Sequence, residues 1–151
     1  MQRQGVWYVV VKALIFVGVY TAFHYAYPLI QWPIFAISES LWEHLKIGFF
    51  SAAFLVLAEF ALFAGSRIYS WVRFFGSRFT GIILIPVSLF LFFYLVVALF
   101  GKITPTWLMV VSVVIVTLLS GLTSFHTENE FLDFPWEKKS SLLLLQVLIL
   151  I

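Results

Sequence analysis

Residues 38–64 read SESLWEHLKIGFFSAAFLVLAEFALFA. From Trp42 to Ala64 the run is long enough to cross a membrane, since about 30 Å of hydrocarbon takes roughly 20 residues of α-helix. It stops at Gly65, and past Lys46 it carries a single charge, Glu59. Backbone amides and carbonyls in lipid have to be satisfied within the segment, so this run is a helix rather than an open strand. Its start holds the opposite chemistry. The nonapeptide Ser38-Glu39-Ser40-Leu41-Trp42-Glu43-His44-Leu45-Lys46 gathers two hydroxyls, two acids, a histidine and a lysine at the mouth of an apolar span.

The rest of the chain belongs with that helix. Hydrophobic residues are 63% and charged residues 11% of 151 positions, and the mean hydropathy is +1.07. A soluble domain is about half apolar and about a quarter charged. Lipid is therefore the expected solvent and partner, around a single membrane domain over 1–151. Cysteine is absent, which excludes disulfides, thiolate metal ligands and cysteine nucleophiles. A net charge of +2, scattered along the chain, gives no basis for nucleic-acid binding.

Three further apolar runs reach spanning length: about 6–27, ending before Pro28; about 81–100, with Pro86 near its start; and about 107–125. The first lacks the small-residue cleavage pattern of a signal peptide, so it reads as a retained helix. No alternation of period 2 suggests a barrel. The run 140–151 covers roughly 18 Å as a helix, too short to span. It reads as a half-inserted or truncated fifth helix. Between the second and third spans, about 67–79, Ile68, Trp71, Val72, Phe75 and Phe79 recur at helical spacing. Arg67, Ser70, Arg73, Ser77 and Arg78 fall on the other face. That pattern predicts an interfacial amphipathic helix with its arginines in water. The predicted fold is an all-α integral membrane bundle of four transmembrane helices, with that interfacial helix and the short fifth.

Basic residues set the expected orientation. Arg3, Arg67, Arg73, Arg78, Lys138 and Lys139 fall on one side of a four-span topology, and Lys46 and Lys102 on the other. The first side is expected to be cytoplasmic, with the N-terminus inside a plasma or inner membrane. The nonapeptide and His24 then face outward.

Within the nonapeptide, Ser40-Leu41-Trp42-Glu43 is a Ser-x-x-Glu capping box, a structural role for Ser40 and Glu43. Trp42 suits the interfacial depth. Capping does not account for Glu39 or His44, and accounts poorly for Lys46, which snorkelling to the headgroups would place. A histidine in the first turn is unusual; as neutral imidazole it binds metal or accepts a proton. His24, near the outer end of the first span, lies at a comparable depth. His24, Glu39, Glu43, His44 and Lys46 are thus the expected ligand-binding set, and His24, Glu39 and His44 the candidates for a divalent metal. Glu43 and His44 diverge by about 100° on one helix, so they do not both meet one ion easily. Ser38 or Ser40 beside His44 and Glu39 also has the ingredients of a nucleophile and base, although serines at helix starts are usually caps.

Lys12 and Glu59 lie inside spans, at similar depth if the helices are antiparallel, and are expected to form an intramembrane ion pair. Ser112, Ser120, Gly121, Thr123 and Ser124 mark a small-residue packing face on the fourth span. His126, Glu128, Glu130 and Asp133 follow it and read as solvated loop charge.

The stretch His24 to Glu59 resembles an uncharacterised family of small prokaryotic polytopic membrane proteins. Its members carry Asn-Glu-Ser-Val-Trp-Glu-His-Leu-Lys at the start of the second helix, usually after a proline. The nonapeptide matches with Ser38 for Asn and Leu41 for Val, and His24-Tyr25-Ala26-Tyr27 is similar to the family's His-x-x-Tyr. The resemblance implies a bacterial or archaeal inner-membrane protein in which Glu39, His44 and Lys46 form a set, and it implies no activity.

The leading expectation is a binding or transport-type protein whose outward Glu/His pocket takes a cation, proton or small polar ligand. The alternatives are an integral hydrolase or metalloenzyme acting at the lipid interface, and an accessory subunit of a larger membrane complex or homo-oligomer.

Overall fold

A computed structural model describes residues 5–26, 35, 40–63, 71–101 and 105–133. They form α1 (Val6–Ala26), α2 (Leu41–Phe63), α3 (Trp71–Phe100) and α4 (Thr106–Glu130), closed by a 3-10 turn, Phe131–Asp133. Each of the four α-helices is long and apolar enough to cross a membrane. The described elements are all helical, and the chain is a multi-pass membrane protein. Residues 140–151, where a fifth helix is expected, and Glu39 lie outside the described residues.

The helices close in a ring, α1 on α2, α2 on α3, α3 on α4 and α4 back on α1. Neighbours run antiparallel: Lys12 of α1 meets Glu59 of α2, while Tyr20, two turns later on α1, meets His44 near the start of α2. The centre holds Ala13, Phe16, Ile47, Ile85 and Phe125, whereas Leu57, Leu91 and Leu99 point outward. Apolar side chains on both faces are expected where lipid tails replace water. Close packing and small residues then drive helix association. Gly48 lets α3 approach α2, since a Cβ there would overlap Leu89. At Gly121 of α4, a Cβ would stand 3.0 Å from Phe16 and 3.4 Å from Ala13 Cβ, both on α1. Ser120 and Ser124 lie beside it and are buried, so this part of the small-residue set faces inward, whereas Thr123 is exposed.

One expectation is corrected. Residues 71–79 are not a separate interfacial helix; they are the first turns of α3, which continues unbroken through Pro86 to Phe100. Of the pattern's described side chains, Ser77 and Arg78 face the interior and are buried, and Phe75 faces out. Lipid inverts the usual pattern: the apolar face solvates in acyl chains, and polar groups turn inward to find partners.

Candidate functional site

Two polar clusters occupy the bundle, about 12 Å apart along α1, the rise of the eight residues from Lys12 to Tyr20.

The first is a charge network to which every helix contributes. Lys12 Nζ lies 2.8 Å from Glu59 Oε1 and 2.7 Å from Glu128 Oε1. Arg78 Nε donates to Glu59 Oε2 at 3.1 Å and stands 3.6 Å from Glu128 Oε1. Tyr8 donates its hydroxyl to Glu59 Oε1 at 2.6 Å, and an Arg78 Nη donates to Ser77 Oγ at 3.2 Å. Two cations and two carboxylates cancel. Aromatic faces cover the cations: Lys12 Nζ is 4.6 Å from the Phe125 ring centroid, and Arg78 Cζ is 4.6 Å from that of Phe74. Lys12, Arg78 and Glu128 are only 5%, 3% and 2% exposed.

Glu128 is therefore not the solvated loop charge its sequence position suggests. It sits in the last turn of α4, a turn beyond the apolar run, because buried cations on α1 and α3 replace the water it would otherwise need. Its neighbours His126 and Glu130 do remain largely exposed, 3.8 Å from one another. Glu128 Oε2 is buried without a hydrogen-bond partner among the described residues and packs over Gly81, where a Cβ would come within 2.6 Å of it.

The second cluster is built at the start of α2. Ser40 Oγ accepts from the Glu43 amide at 3.3 Å, one half of the capping box. Glu43 Oε2 takes Lys46 Nζ at 2.5 Å, one turn on. His44 turns to α1. Its Nδ1 is 2.7 Å from Tyr20 Oη, and its ring lies nearly parallel to that of His24, with centroids 5.3 Å apart and planes at 10°. Tyr20 also stacks near-parallel to His44, at 14° and 6.3 Å. His24, Tyr20 and His44 thus stand together, while Glu43 pairs with Lys46 along α2. Tyr20 carries no charge to flag it, yet it precedes His24 by four residues, the spacing that puts both on one helix face. Among the described residues, no group of three histidine or acidic side chains is arranged to hold a metal ion.

A cavity of about 240 Å³ opens beside Tyr20 and His44, with walls from all four helices. The second cluster therefore combines hydrogen-bonding rings, a neutralised Lys–Glu pair and an adjoining space. The first fills its interior with paired charge.

No family model matches the chain, and neither the curated proteins nor the solved structures contain a match.

Proposed function

We propose that this chain is a membrane protein of the binding or transport class, working through the cluster of His24, Tyr20, His44, Glu43 and Lys46. The observation that carries this reading is the 2.7 Å contact between Tyr20 Oη and His44 Nδ1 at the wall of a cavity. With Nδ1 engaged by the Tyr20 hydroxyl, the sense of that bond selects the His44 tautomer. The ligand class is a proton, a cation or a small polar group. Intramembrane ionisable groups are functional candidates by default. The charge network at the other end is a structural lock in this reading, since its charges are already matched and enclosed.

The orientation we propose puts the N-terminus in the cytoplasm of a plasma or inner membrane and this cluster toward the outside. Arg3, Arg67, Arg73, Lys138 and Lys139 support it against Lys46 and Lys102. Arg78 drops out of that comparison, being buried in the network.

Reconstitution in phospholipid vesicles tests the reading. Proton entry is followed with an entrapped pH-sensitive dye, and sodium entry with a radiotracer. Uptake above that of empty vesicles should fall at least tenfold in His44→Ala, with the helical circular-dichroism spectrum unchanged. Equal uptake by the two proteins would contradict it.

A further inference from the structure

A hydroxyl in a membrane helix is normally satisfied by that helix. Thr80, Ser112, Thr123 and Thr127 each donate to a carbonyl three or four residues back. Thr117 and Ser120 of α4 do not. Their oxygens are buried without a hydrogen-bond partner among the described residues, and so is Glu128 Oε2. These residues are 1%, 0% and 2% exposed. A buried polar group left unmet is costly, and ordered water satisfies it where no protein group does.

The three oxygens share one stripe. Thr117, Ser120, Ser124 and Glu128 follow one another at three or four residues on one face of α4, with about 5–6 Å between neighbouring Cβ atoms. One water making two hydrogen bonds of about 2.8 Å covers that step. Ser124 also reaches across to α3, 3.3 Å from Ser88 Oγ. Space flanks the stripe at two levels. Val113 and Val116, just before Thr117, line the cavity at Tyr20 and His44. Ser88 and Ser124 line a second cleft of about 130 Å³, room for about four waters at roughly 30 Å³ each.

From this spacing we infer that the inner face of α4 binds a file of water from Thr117 to Glu128, and that the file carries protons between the His44 cavity and the charge network. The inference rests on the reading of Tyr20–His44 as the binding site and selects the proton from its ligand classes. A proton passes by exchange along hydrogen bonds, each water taking one proton and releasing another, as in the relays of membrane pumps. A hydrated metal cation is wider than a file one water across. Glu128 divides its two oxygens: Oε1 faces Lys12 and Arg78, and Oε2 is left for the last water. The network keeps its locking role, because one bound water leaves it screened from bulk solvent. Glu128 stands in the last turn of α4, two residues before the exposed Glu130, and protons exchange with the membrane surface there.

Two measurements on the full chain test this. In the vesicle assay, Thr117→Val and Ser120→Ala should each cut proton entry at least tenfold, with the helical circular-dichroism spectrum unchanged. Thr123→Val removes a hydroxyl that is spent on its own helix, and should leave proton entry as in wild type. Sodium entry should match that of empty vesicles throughout. In phosphatidylcholine nanodiscs, radiolytic hydroxyl labelling reports bound water, which on ionisation oxidises the side chains beside it. Val116 adjoins Thr117, and Phe16 packs on Gly121 next to Ser120; both are buried. They should be oxidised in wild type, and at least fivefold more slowly in the double variant Thr117→Val/Ser120→Ala. Equal oxidation in the two proteins would make the stripe dry, and sodium entry that depends on His44 would make the cargo a metal cation; either overturns the inference. A loss in Thr123→Val as large as in Thr117→Val overturns it as well. If proton entry needs His44 but neither Thr117 nor Ser120, the file is wrong and the site reading stands. If it needs none of the three, both fall.

Discussion

Lys12 Nζ and Glu128 Oε1 lie 2.7 Å apart although 116 residues of chain separate them, and the contact is buried. It ties the first helix to the last at the end of the bundle where Arg78 and Glu59 tie the third to the second. Removing one carboxylate from this neutral quartet leaves a net positive charge in a site with little access to water. Glu128→Ala should therefore cost about 3–5 kcal/mol, the usual penalty for breaking a buried ion pair from one side. Unfolding in mixed micelles with added dodecyl sulfate, followed by tryptophan fluorescence, measures it. A loss below about 1 kcal/mol, the range of a surface pair, would show that water reaches Glu128.

The Lys12–Glu59 contact makes a separate prediction. Lys12→Ala and Glu59→Ala should each destabilise, and the double variant should be no worse than the poorer single one. Residues in one network couple by about 0.5–3 kcal/mol, whereas independent sites add. Strict additivity in the same unfolding assay would mean that each side chain reaches its own membrane surface.

Two glycines separate close approach from helix propensity. Gly81→Ala puts a methyl 2.6 Å from Glu128 Oε2, so it should destabilise by roughly 1–3 kcal/mol, the cost of overpacking. Gly18→Ala meets nothing within 4 Å and should stabilise by up to about 1 kcal/mol, since alanine is the better helix former. Equal effects would mean that α3 does not approach Glu128 as described.

Tyr20→Phe deletes the hydroxyl beside His44 Nδ1 and keeps the ring. Stability should change by only about 1 kcal/mol, the net worth of a hydrogen bond, while vesicle uptake falls several-fold because the His44 tautomer is no longer held. A large stability loss with uptake intact would make Tyr20 a packing residue.

Much of this architecture is legible in the amino-acid sequence, because lipid imposes a simple length rule and Pro28, Gly65 and Gly101 punctuate the apolar runs. Helical arithmetic reaches as far as Lys12 and Glu59, at matching depths on antiparallel neighbours. It fails at Arg78 and Glu128, which lie just outside the runs that hydropathy marks. Each reads as a membrane-surface charge until the opposing helix is known, and their burial depends on each other. A signal for Glu128 does exist: Thr117, Ser120, Ser124 and Glu128 recur three and four residues apart, a polar stripe on one face of an apolar helix. A stripe turned inward needs a partner at its end. Tyr20 was hidden differently, since an aromatic in an apolar span looks like packing until a histidine is found across from its hydroxyl.

The most direct test sets His44→Ala beside Glu128→Ala and measures vesicle uptake and unfolding on both. His44→Ala should lose at least tenfold in uptake at nearly unchanged stability, and Glu128→Ala should lose stability first. If His44→Ala takes up protons and sodium as wild type does, the cluster at the start of α2 is a helix cap and not a binding site.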